Sequence, residues 1–151
     1  MIFGLSKNIK EMYSLLLDSS NKVFISFWFF VFPLGIAISL VCFDFEIAPN
    51  QYTYLIGFMS IIIGFLINIL ATMISNKKIG SGLRIKLTRR IYSSATGFIL
   101  FGVFLIILIL ISSWIQRIIF EKILYFFIYF LFIHLILILF SIIKGFYSLY
   151  K

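Results

Sequence analysis

Few of the 151 residues can do chemistry, and their spacing keeps most of them apart. His134 lies near the middle of a long apolar run, where an ionisable side chain is expensive and marks a functional candidate by default. Proton relay or metal binding would need a second ionisable group at the same depth. None falls inside any apolar run, and away from the ends of the runs Asn68 is the only other strongly polar side chain. His134 is therefore expected to bond a neighbouring helix, at Asn68 or at a backbone carbonyl, with ion or proton conduction through an assembly as the sharper alternative. Glu11, Asp18, Asp44, Glu46 and Glu121 all sit between or beside the runs, and a serine without a positioned base is no nucleophile. Cys42, the one cysteine, can form neither an intrachain disulfide nor a cysteine metal cluster and reads as a small packing residue. The Gly80-Ser81-Gly82 turn is followed by Leu83 and Arg84, not by the Gly-Lys-Ser/Thr ending of a phosphate loop. Catalytic, metal and cofactor sites are thus not expected, and the chain is not read as an enzyme.

The elements that carry these residues follow from composition. A soluble domain is about 45–50% apolar and about 25% charged; this chain is 63% hydrophobic and 12% charged, with 20 Phe. Its charges are gathered between the runs and not along one face of every helix, which excludes a soluble bundle. The expected fold is all-α: a polytopic membrane protein with four transmembrane helices, over 23–43, 52–75, 91–116 and 123–143, forming one membrane domain from 23 to 151. Residues 1–22 repeat Leu5, Ile9, Met12 and Leu16 at helical spacing among Lys7, Lys10, Glu11 and Asp18. That pattern predicts an amphipathic cytoplasmic helix in the headgroup plane and is not that of a cleaved signal.

Within the spans, Pro33 removes a backbone donor and frees the carbonyl of Phe29, predicting a bend. Ser60, Gly64, Asn68 and Thr72 fall four apart on the second run with Gly57 beside them, a narrow stripe of small and polar residues. In lipid such stripes mark close packing, so the second helix is expected at the centre of the bundle. Gly35 and Ser39 on the first helix would meet Gly57, Ser60 and Gly64 in an antiparallel hairpin. The fourth helix, nearly all Ile, Leu and Phe, is expected on the lipid-facing perimeter except at His134 and Ser141. A homo-oligomer is expected, a tetramer in preference to a dimer.

Charge then sets orientation. Lys77, Lys78, Arg84, Lys86, Arg89 and Arg90 occur with no acid between them, in a basic loop over 76–90, whereas the 44–51 turn has two acids and no base. Summed over alternate sides, the bases divide eleven against two, and the positive-inside rule puts the eleven, with both termini, in the cytoplasm. The loop can rest on anionic membrane lipids or dock an acidic cytosolic partner. It has no aromatic residues for stacking, so direct nucleic-acid binding is not expected.

This layout, with a basic inner loop from Lys77 to Arg90 and short outer turns at Asp44 to Gln51 and Arg117 to Lys122, resembles the membrane subunit of Kiwa-type antiphage defence systems. It also resembles four-span immunity proteins against pore-forming bacteriocins. The likeness covers the whole chain in outline and rests on no motif, so it assigns no residue a role. The first resemblance implies a homo-oligomeric subunit of the bacterial inner membrane that senses envelope disturbance, binds a cytosolic effector protein and serves in phage resistance. A pore-forming or holin-like effector is the alternative from another class, and bacteriocin immunity a third.

Overall fold

The computed structural model describes residues 27–75, 82–114 and 118–149, all but one connection of it helical. Helix α1 runs Phe27–Cys42, α2 Pro49–Ser75, α3 Gly82–Trp114 and α4 Ile118–Leu149. The stretches Asn50–Met73, Leu87–Trp114 and Phe120–Tyr147 are each long and apolar enough to cross a membrane, and α1 is a shorter apolar helix. The chain is a multi-pass helical membrane protein. The expected amphipathic segment 1–22, Lys77, Lys78 and Arg117 lie outside the described residues.

The spatial order is not the chain order. α1 packs on α4, α4 on α3, and α3 on α2, so the row reads α1, α4, α3, α2. The expected central position of the second helix is corrected by this: α2 is an edge helix. Its buried side is Met59, Ile63, Leu66 and Leu70, while Ser60, Gly64, Asn68 and Thr72 are all exposed. Nothing comes within 4 Å of a Cβ built on Gly35, Gly57 or Gly64, so the expected small-on-small hairpin of α1 and α2 does not form. The fourth helix, expected at the perimeter, is central, with Ile128, Leu135, Ile138 and Ile142 each about 1% exposed. Cys42, read as a packing residue, is exposed.

Periodicity explains the arrangement. Along α3 one buried line runs Ile91, Ala95, Phe98, Gly102, Leu105, Ile109 and Ser112, in alternating steps of four and three, with Ser93, Ser94 and Gly97 buried beside it. The buried positions of α2 keep the same rhythm, the 3.5-residue repeat of side chains interlocking in left-handed bundles. The close approach expected of the α2 stripe occurs elsewhere. A Cβ on Gly102 would stand 3.0 Å from Ile63 Cδ1 and 3.3 Å from Met59 Cε, and one on Gly145 3.1 Å from Ile91 Cγ1. These two glycines let α2 and α4 seat against α3.

Several helix boundaries differ from the expected spans, α4 for one running Ile118–Leu149. Helix α3 begins at Gly82, so the second half of the 76–90 segment is helical and continuous with the span. At the other end of the bundle, α1 finishes in a tight turn with backbone bonds from Asp44 N–H to Val41 O (3.2 Å) and Phe45 N–H to Leu40 O (3.0 Å). This is the double reversal that closes helices at a left-handed residue, here Asp44 at φ 51°, where glycine is commoner and Asp is tolerated. Helix α2 then starts on Pro49, with the Gln51 side chain accepting from Ala48 N–H at 3.0 Å.

Candidate functional site

Two polar constellations are built inside this frame, one at depth and one at the end of the bundle that carries Asp44, Glu46 and Glu121. The deep one joins α1 to α4. Pro33 has no N–H to offer the carbonyl of Phe29, four residues back, and His134 Nδ1 lies 2.8 Å from that oxygen. A carbonyl only accepts, so Nδ1 carries the hydrogen. The first turn of α1, Phe27–Val31, is wound as a π-helix, which widens the backbone just before the proline. His134 is 4% exposed. Phe130 stacks on its ring at 5.8 Å, Phe30 lies tilted against it at 5.3 Å, and Phe29 meets it edge-on at 6.5 Å. Of the two partners open in sequence, the backbone carbonyl is the one found. Asn68, on the far edge helix, is exposed and not near it.

The second constellation is at the acidic end. Tyr52 Oη of α2 lies 3.1 Å from Tyr125 Oη of α4 and 3.4 Å from Ser112 Oγ of α3, so three helices share one hydroxyl cluster. Tyr52 and Tyr125 stand near the starts of their apolar runs, where aromatic residues anchor helices at the membrane interface, and Ser112 has no such signal in the sequence. The 43–48 turn folds over this cluster. Ile47 plugs into the core at 5% exposure, Tyr129 Oη donates to Phe45 O at 2.9 Å, and Lys122 Nζ pairs with Asp44 Oδ1 at 2.6 Å. A cleft of about 690 Å³ lies beside it, lined by Glu46, Glu121, Tyr52, Thr53, Ser112 and Tyr125 among others. Among the described residues no three of His, Cys, Asp and Glu come together.

Several hydroxyls elsewhere are spent on their own helices. Ser39 donates to Gly35 O, Thr72 to Asn68 O and Thr96 to Tyr92 O, each at 2.9 Å, which lets them face lipid without an orphaned donor. The basic residues Arg84, Lys86, Arg89 and Arg90 all fall on the first turns of α3, with Arg89 exposed and Arg90 half-buried. No family model matches the chain, and no curated protein or solved structure is similar to it. No residue therefore acquires a role by likeness.

Proposed function

We propose that this chain is a non-catalytic subunit of the bacterial cytoplasmic membrane that passes an envelope disturbance to a cytosolic effector protein in antiphage defence. Both termini and the 76–90 segment lie on the cytoplasmic side in this reading, as the eleven-to-two division of bases requires. One observation carries it: Arg84, Lys86, Arg89 and Arg90 belong to the same unbroken helix as the core. Helix α3 starts at Gly82, its apolar stretch at Leu87, and its buried face packs against both α2 and α4. A shift of α3 within the bundle moves Arg84, Lys86, Arg89 and Arg90 with it, whereas a loop would absorb the motion. Packed helices shift by an ångström or two between discrete arrangements, which suits such a relay. An acidic effector would dock on these bases in a salt-sensitive way, competing with anionic lipid headgroups for them.

The test uses cells carrying the native gene neighbourhood and a chain with Arg84→Glu, Lys86→Glu and Arg89→Glu. The expected outcome is an unchanged amount of membrane-inserted protein, loss of phage protection measured by plating efficiency, and release of the effector into the cytosol. Full protection with the effector still at the membrane overturns the proposal.

A second reading rests on the exposed polar edge of α2. An assembly that turned Ser60, Asn68 and Thr72 toward a common axis would line a pore. Depolarisation of cells expressing the chain alone supports that reading, and an undisturbed membrane potential excludes it.

A further inference from the structure

We propose that the groove between α1 and α2 holds an ethanolamine phospholipid, with one acyl chain along the groove and the headgroup ammonium against Glu46. Helices α1 and α2 follow one another in the chain but do not pack together, because α4 lies beside α1 and α3 beside α2. The gap over α4 is a groove of about 540 Å³, floored by Ile128, Phe132 and Ile133 and walled by Leu40 and Leu55. That volume falls in the range of about 300–1,000 Å³ typical of small-molecule sites. In a membrane-spanning bundle such a side opening meets acyl chains, and its lining along most of its length is apolar.

Its polar end decides the headgroup. Glu46 lines this groove and also two neighbouring hollows, one beside Tyr52 and Ser112 and one beside Asp44 and Lys122, so one acidic residue is common to all three. Asp44 is engaged by Lys122, but among the described residues neither Glu46 nor Glu121 has an ion-pair or hydrogen-bond partner. An anionic headgroup is repelled there. A choline headgroup carries positive charge but has no N–H, whereas a primary ammonium has three donors to offer a carboxylate. The adjoining phosphate finds a donor as well: Gln51 also lines the groove, and its Oε1 already accepts from Ala48 N–H, which leaves its NH₂. The groove thus offers both the acceptor and the donor that a zwitterionic ethanolamine headgroup needs.

The experiment reconstitutes the full chain in vesicles of equal ethanolamine, choline and glycerol phospholipids, extracts it in mild detergent, and identifies the retained lipid by native mass spectrometry. One ethanolamine lipid per chain is expected, at about tenfold preference over choline, the factor that one charge-assisted hydrogen bond supplies. Glu46→Gln is expected to keep a lipid but lose the preference. Ile133→Trp, which fills the groove, is expected to lose the lipid with helicity unchanged by circular dichroism. The proposal is overturned if the unaltered chain shows no preference or prefers glycerol headgroups, or if Glu46→Gln still selects ethanolamine. It is equally overturned if free ethanolamine displaces the lipid at similar concentration, because the groove would then contribute nothing.

Discussion

His134 and Pro33 are one device made of two residues a hundred positions apart. A proline inside a membrane helix leaves a carbonyl without its usual donor in a medium that offers no water, and such a group needs an outside partner. The imidazole supplies it, at 2.8 Å, from the neighbouring helix. Half of this was readable beforehand: Pro33 marks Phe29 as the carbonyl set free, and His134 marks itself by being at depth. Their pairing was not, because nothing local says that α1 lies beside α4. The link predicts non-additivity. His134→Phe should cost about 1 kcal/mol or more of folding stability in the natural background. In a Pro33→Ala background the alanine N–H can close the helix onto Phe29, and the same His134→Phe change should cost clearly less. Unfolding in mixed micelles gives the four stabilities of the cycle, and equal costs in both backgrounds would show that the bond contributes nothing.

Glycines separate the helices that pack from those that only resemble packing helices. The stripe from Ser60 to Thr72 has the right spacing and the wrong side, since the large residues Met59, Ile63, Leu66 and Leu70 occupy the buried face. In lipid, inward and outward surfaces are both apolar, so hydrophobicity cannot tell them apart and small residues become the only cue. That cue failed on α2 because Thr72 satisfies its hydroxyl on Asn68 O within the helix and is thereby free to face outward. It was present on α3 as well, in Ser93, Ser94, Ala95 and Gly97, all buried, but as a cluster and not a line. The existence of the three long spans was legible from run length alone. Their order was not, nor was the start of α3 at Gly82, because Arg84 to Arg90 interrupt hydropathy without interrupting helix. The contrast between the two glycines can be measured. Gly102→Val pushes on Ile63 and Met59 and should destabilise the bundle by about 1–3 kcal/mol. Gly64→Val meets nothing within 4 Å and should leave the stability of the single chain nearly unchanged. Equal losses would mean that α2 is seated the other way round.

At the scale of the whole molecule, a row of four helices has two unlike sides. One edge is α1, with its groove and its histidine link; the other is α2, packed mainly on α3, bonded to α4 at Tyr52–Tyr125, and exposing Ser60, Gly64 and Asn68. An edge helix whose outer face has no Cβ contact at Gly57 or Gly64 lets a second backbone come close, the usual requirement for helix association in lipid. The amide of Asn68 on the same face both donates and accepts, so two copies meeting across that face can satisfy each other. A meeting of identical faces closes as a dimer, whereas α2 of one copy against another surface of the next makes a ring. The exposed apolar residues of α1 can supply such a second surface, and the assembly we propose is a ring, a tetramer in preference to a dimer. Gly64→Ile should therefore lower the oligomer number in native mass spectrometry from nanodiscs while the helicity and the His134–Phe29 link persist. The same substitution inserted into a chain that is already a monomer would change nothing measurable, so a monodisperse monomer for the unaltered protein refutes assembly outright. An unchanged tetramer carrying Gly64→Ile instead moves the interface away from α2, leaving the exposed stripe as a surface that simply meets lipid.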